Sequence, residues 1–352
     1  TKMVEWLAGN RIRGTSAERT TTAGIGNAVG GWKELARHTR TTQGIMDVSS
    51  IPLSRYYMVL TNVFDSAPAG NMRVYCNNDT GSTHADRGSQ NGAGDFTEVS
   101  KTNGCYWGGN TIDEGFGVTY WSNLAGKEKL GISHFVDRSA LGAGTAPDRS
   151  EAVLKWSDVS TAINRFNSPA SWNFWDSGSE MIVLGWDPAD THTSNFWEEL
   201  ASVSGDGSSP TLDSGTITAK KYLWVQCFTD PASSTTPQWR VNSDSGSNYS
   251  ELFETDGTNN SPNVNGSVMN IGNTTAYPSF SNTFIINNSA NEKLFINNWM
   301  GGNTTGAGTA PMRREGTGKW ITTGSQITSL QCILAASVNH TTNSTMKVWG
   351  SN

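Results

Sequence analysis

The side chains best suited to chemistry are five histidines and four cysteines, and their spacing supports no recognisable reactive site. His38, His84, His134, His192 and His340 stand far apart, so a metal centre or nucleophilic triad built on them would need several distant loops to converge. Cys76, Cys105, Cys227 and Cys332 form no short pair of the kind that clasps zinc or runs redox chemistry, and they read as buried thiols. No Gly-x-Ser-x-Gly elbow, phosphate-binding loop or His-Glu-x-x-His zinc helix occurs. A carboxylate pair for glycoside hydrolysis is set by separation in space, so the sequence leaves that chemistry open. The expectation is a protein that is not an enzyme and uses no cofactor or metal.

Binding chemistry has more to draw on. Asn77-Asn-Asp79-Thr-Gly-Ser82 and Asn242-Ser-Asp244-Ser-Gly-Ser247 gather oxygen ligands around a glycine turn, as calcium loops do, but each brings one carboxylate, which favours a plain turn. Trp107, Trp172, Trp175 and Trp186 are candidates for surface aromatics that stack on sugar rings or fill subunit contacts, with core packing as the other reading. The loop Gly142-Ala-Gly-Thr-Ala-Pro147 leads through proline into an alternating strand, which suits a tight inter-strand loop and not a phosphate cradle. Just after it, Arg149, Glu151 and Lys155 share one strand face and predict a salt-bridged row.

These motifs are carried by an internal duplication. Gly142 to Trp156 returns as Gly306 to Trp320, with Arg313, Glu315 and Lys319 repeating the charged row. Trp32-Lys-Glu-Leu-Ala36 matches Trp197-Glu-Glu-Leu-Ala201, and Arg55 to Leu60 aligns with Lys220 to Val225 at the same shift of 164 or 165 residues. No histidine or cysteine recurs: position 84 corresponds to Tyr249 and position 134 to Asn298.

Composition agrees with strands. Ser, Thr, Asn and Gly make up 150 of 352 residues, a palette of turns and β-structure, while 14 tryptophans exclude a disordered chain. Short alternating runs predict about eight strands in the first copy, near 32–38, 45–49, 55–64, 72–77, 116–121, 128–136, 149–156 and 180–186. The fold class is all-β: two tandem jelly-roll-like β-sandwich domains from the duplication, 32–190 and 191–352, preceded by an extended N-terminal arm, 1–31. Pro188 in the short join predicts a fixed relation between the two. The arm sets Trp6, Leu7 and Ile12 beside Arg11, Arg13 and Arg19, the makings of an assembly contact on a neighbouring subunit.

A net charge of -6 argues against nucleic acid as a partner, and no apolar run is long enough for a membrane helix. The start lacks a signal peptide's apolar core, which points to synthesis in the cytoplasm.

The Arg-x-Tyr strand at Arg55 to Leu60, the turn Asn77 to Ser82, Glu128-Lys-Leu130, the loop Gly142 to Glu151 and the arm segment Gly9 to Arg19 resemble duplicated structural proteins of marine tailed phages. The resemblance implies a virion component of capsid, fibre or tail. Together with the duplication, the missing catalytic signatures and the polar, Trp-rich strands, it leads to the expectation of a symmetric homo-oligomer, with a trimer among the options, bound to other virion proteins. Two alternatives stand beside it: a carbohydrate-binding or receptor-binding module for host-surface glycans, and a double-jelly-roll capsid shell protein.

Overall fold

The computed structural model describes residues 31–65, 71–109, 113–169, 175–187 and 195–352. The arm residues Trp6, Leu7, Arg11, Ile12, Arg13 and Arg19, together with Trp172 and Pro188, lie outside the described residues.

The first repeat contains β1 (Lys33–Thr39), β2 (Asp47–Val48), β3 (Tyr56–Phe64), β4 (Met72–Cys76), β5 (His84–Gln90), β6 (Phe96–Lys101), β7 (Cys105–Gly108), β8 (Glu114–Ser122), β9 (Lys129–Arg138), β10 (Asp148–Trp156), β11 (Phe166–Asn167) and β12 (Glu180–Trp186). Eight form a large antiparallel sheet in the order β1-β12-β3-β8-β9-β10-β5-β6, and four form a small sheet, β2-β11-β4-β7. The second repeat contains β13 (Glu198–Ser204), β14 (Thr211–Asp213), β15 (Tyr222–Thr229), β16 (Pro237–Val241), β17 (Tyr249–Thr255), β18 (Thr258–Gly266), β19 (Met269–Asn270), β20 (Ser279–Ile286), β21 (Lys293–Gly301), β22 (Met312–Trp320), β23 (Leu330–Leu334) and β24 (Thr345–Ser351). Its sheets, β13-β24-β15-β20-β21-β22-β17-β18 and β14-β23-β16-β19, repeat the first order strand for strand. The two tandem jelly-roll-like sandwiches are therefore copies of one plan.

Among the described residues each repeat has twelve strands, against the eight expected for the first. Strand β5 escaped the periodicity because the side chains it buries are His84, Asp86 and Ser89, with Gly88 offering none, so its alternation carries no apolar signal.

Three cores hold the chain together. One lies between the sheets of the first sandwich, around Val59, Val74, Trp107, Trp121, Trp156 and Phe166, and a second matches it around Val225, Trp239, Tyr249, Trp320 and Cys332. The third lies between the two large sheets, where Met58, Leu60, Phe116 and Val136 meet Tyr222, Trp224, Leu294 and Ile296. The molecule is thus four layers deep, small-large-large-small. Strand β3 shows the consequence: Tyr57 and Val59 face the first core, Met58 and Leu60 face the third, and Tyr57 to Leu60 is apolar without alternation, as sheets covered on both faces require.

The structure corrects the repeat register at this strand. Val59 lies opposite Val183 in the first copy, and Val225 lies opposite Val348 in the second, which makes the shift 166 here. The sequence match at 165 paired Tyr57 with Tyr222, residues that point to opposite faces; a one-residue slip inverts every side chain of a strand. In both copies the edge strand bulges at the same leucine, Leu35 and Leu200, which packs over Gly185 and Gly350, where a side chain would collide with it.

Candidate interaction surface

The contact between the repeats is the best-built surface in the molecule. At one side the loop Gly142-Ala-Gly-Thr-Ala-Pro147 of the first repeat lies on the second: Gly142 donates its N–H to Glu292 Oε1 at 2.6 Å, and Ser250 Oγ donates to the Thr145 carbonyl at 3.1 Å. The Lys319 ammonium, fully buried, donates to the Ala140 carbonyl and pairs with Glu292 at 3.4 Å. Arg149 continues the seam, donating to Glu254 at 2.7 Å and to the Glu315 carbonyl at 3.0 Å. The charged row is therefore a seam between repeats as well as within strands.

At the other side Glu180 of β12 receives Lys221 Nζ at 2.9 Å, Tyr222 Oη at 2.8 Å, Thr39 Oγ1 at 2.6 Å and Arg37 Nη1 at 3.1 Å. Burial alone would push this carboxyl up, but the donors, Lys221 foremost, outweigh it and hold it down at about 2. Two other carboxyls near the seam go the opposite way. Burial pushes Glu114 up to about 7 against the pull of Arg138, and Glu151 up to about 7 against that of Arg149.

Beyond the edge of the third core an aromatic cleft of about 490 Å³ opens on the first repeat. Tyr56 and Trp186 stack at 5.3 Å and 21°, and Trp32 lies 6.4 Å from both Trp186 and Tyr120. Leu130 and Ile132, 56% and 50% exposed, form its outer lip. The wall carries Ser122 and tyrosine and indole groups but no carboxylate, amine or imidazole.

Of the candidate surface tryptophans, Trp186 lies in this cleft. Trp107 and Trp175 do not lie on the surface: both are buried in the first sandwich core, 1% and 3% exposed. Trp107 belongs to β7, whose four residues are all buried against the large sheet, and no polar neighbour in Cys105-Tyr-Trp-Gly betrays that burial in the sequence. Sequence reasoning also missed Tyr56, Tyr120, Leu130 and Ile132, which look like ordinary strand residues until the second repeat is seen to stop short of them.

The two oxygen-rich loops are turns. Asp79 accepts bonds from Trp156 Nε1 at 2.8 Å, Thr83 Oγ1 at 2.7 Å and the Gly81 N–H at 2.8 Å, and Asp244 does the same with Trp320, Asn248 and Gly246. These carboxylates are occupied in tying a core tryptophan to a loop. No group of three or more His, Cys, Asp or Glu side chains arranged to hold a metal occurs among the described residues. All four cysteines are buried free thiols. No helix among the described residues is long and apolar enough to cross a membrane.

No protein-family model matches the chain, and no curated protein matches it. Among solved structures, the LG1–3 region of the laminin alpha2 chain is 9% identical, with 90% of this chain and 62% of that chain covered and a TM-score of 0.22. Domains LG4–5 of the mouse laminin alpha1 chain are 7% identical, with 91% and 90% covered and a TM-score of 0.19. The Ail attachment invasion locus protein of Yersinia pestis is 5% identical, with 79% and 97% covered and a TM-score of 0.14. Likenesses at this level carry no argument about the role of this chain.

Proposed function

We propose that this chain is a non-enzymatic structural component of a virion, made in the host cytoplasm, that works by packing against copies of itself and other virion proteins. One observation carries the reading: an open aromatic cleft has an exposed Leu130 and Ile132 lip and no carboxylate, amine or imidazole in its wall. Such a surface has the chemistry of contact, where buried aromatics supply most of the binding energy. The phage resemblance supplies the setting, and the arm with Trp6, Leu7, Ile12, Arg11, Arg13 and Arg19 supplies a second contact. A glycan-binding module is the competing reading, favoured by the stacked Tyr56 and Trp186 rings. It has few polar groups in the cleft to hold sugar hydroxyls.

Two measurements test this. Peptide mass spectrometry and immunogold labelling of purified particles from the source should find the chain at a fixed copy number, and its absence from particles would refute the proposal. A glycan array probed with the purified chain should stay blank. Strong binding that Trp186→Ala abolishes, by a chain that stays monomeric, would select the glycan-binding reading.

A further inference from the structure

The repeats are copies, yet they use different halves of one sheet face to hold each other. Leu294 and Ile296 are buried in the third core, 0% and 3% exposed, while their equivalents Leu130 and Ile132 are 56% and 50% exposed. The reverse holds at the other end: Phe116 and Val136 of the first repeat are 1% and 0% exposed, while the equivalent Phe280 and Met300 of the second are 37% and 53%. The loop follows the same rule, since Ala143 and Pro147 are buried on the second repeat whereas Ala307 and Pro311, in the same Gly-Ala-Gly-Thr-Ala-Pro sequence, are exposed. So does its receptor: Glu292 and Lys319 are 3% and 0% exposed, and the equivalent Glu128 and Lys155 pair at 3.6 Å with 47% and 43% exposed. An interface made by non-equivalent patches of equivalent units is heterologous, and it leaves one unused half at each end.

We infer that these two unused halves bind each other between copies of this chain, the second repeat of one copy docking on the first repeat of the next as the first docks on the second within a chain. This rests on the proposed assembly role and names the surface that would serve it. The aromatic cleft is continuous with the third core, against which Tyr56, Tyr120 and Trp186 already pack. The internal contact supplies the template. Phe116 meets Tyr222 at 6.2 Å within the chain, and the equivalent Phe280 would meet Tyr56. The loop 306–311 would lie on Glu128 and Lys155. Asn62 and Asn288 form a polar pair at 3.3 Å across the internal seam; their equivalents Phe228 and Leu124, 37% and 36% exposed, form an apolar one. Both members of that pair have changed together, as partners in contact would. Not every contact recurs: Thr345 stands where Glu180 does, and Ala85 where Ser250 does. Successive copies then form a ring if the rotation closes and a filament if it does not.

Light scattering and negative-stain imaging of the purified full chain test this, with Ile132→Asp disabling one half and Met300→Asp the other. Both positions are exposed, so thermal melting should confirm that each variant folds; Leu130→Lys and Phe280→Lys replace either one that does not. Wild type should form rings or filaments. Each variant alone should be monomeric, its affinity weakened about tenfold or more. An equimolar mixture should give a one-to-one dimer and nothing larger, because one intact pair of halves remains. A monomeric wild type would overturn the inference. So would Met300→Asp assembling like wild type, which would mean cleft packing on cleft. A monomeric chain found on particles would sink this inference and spare the proposed function, whereas an assembling chain absent from particles would do the opposite.

Discussion

Glu180→Gln should loosen the junction between the repeats, by an amount that depends on pH in a calculable way. The carboxylate accepts from four donors, two of them, Lys221 and Tyr222, on the other repeat. A shift from the ordinary 4.5 down to about 2 corresponds to at most about 3.4 kcal/mol. Partial access of solvent to the Arg37 guanidinium and the Lys221 ammonium, whose side chains are 28% and 25% exposed, reduces this to about 2 kcal/mol. The folded pKa is depressed, so this stabilisation is complete above about 4.5 and is lost as pH falls towards about 2. Urea unfolding followed by tryptophan fluorescence should therefore separate wild type from the variant by about 2 kcal/mol at pH 7, with the gap closing towards pH 2. A gap below about 0.5 kcal/mol at pH 7, or one of equal size at pH 3 and pH 7, would refute the four-donor account.

Asp79→Ala and Asp244→Ala should each cost about 2 to 3 kcal/mol, since each leaves a tryptophan N–H without its charged acceptor. Calcium should not raise the melting temperature of wild type, and a calcium-dependent rise would restore the cation-site reading of these loops. Glu151→Gln should do nothing at pH 4.5 and stabilise by about 1 to 2 kcal/mol above pH 7, because burial raises the folded pKa to about 7 and the native state holds its proton more tightly than the unfolded chain. Melting curves across pH 4 to 9 check the sign, and stabilisation confined to low pH would contradict it. Deleting residues 1 to 30 should leave the melting transition intact, since the described residues of the three cores already hold packing partners within each other's reach without the arm, while weakening oligomer formation or particle attachment. Unchanged assembly would dispose of the arm's role.

The duplication was legible because it is written in turns and charges. Asn77 and Asn242 each cap the same loop, and Asp79 and Asp244 each hold the same tryptophan, so the local motif dictates the local structure. Burial of the large-sheet faces was not legible, and the reason is physical. Ala143 and Pro147 of the Gly-Ala-Gly-Thr-Ala-Pro loop are buried while the matching Ala307 and Pro311 are exposed, and Leu-x-Ile of β9 is exposed where that of β21 is buried, so the same residues carry opposite environments. Local pattern reports which face is apolar, not which half of that face a neighbour covers. One signal was available: Tyr57 to Leu60 is apolar without alternation, which requires cover on both faces of the large sheet.

The exchange of Asn62 and Asn288 for Phe228 and Leu124 has a thermodynamic logic under the heterologous reading. Within a chain the two repeats are held at high effective concentration by their covalent join, so a polar pair that adds little net free energy suffices there to fix alignment. Between chains the same contact must first offset the lost translational and rotational freedom of a whole subunit, about 4 to 15 kcal/mol. Apolar partners then serve better than amides, because burying them adds free energy, whereas an amide pair mainly exchanges water for protein. The same reasoning accounts for Glu180 facing Lys221 and Tyr222 inside the chain while Thr345 occupies the matching place at the free end. A buried carboxylate exposed to solvent before docking would have to be dehydrated on each encounter, and threonine avoids that cost. Replacing Phe228 and Leu124 by asparagine together should therefore weaken association between copies while leaving each chain's melting temperature unchanged, and a lowered melting temperature with intact association would reverse the argument.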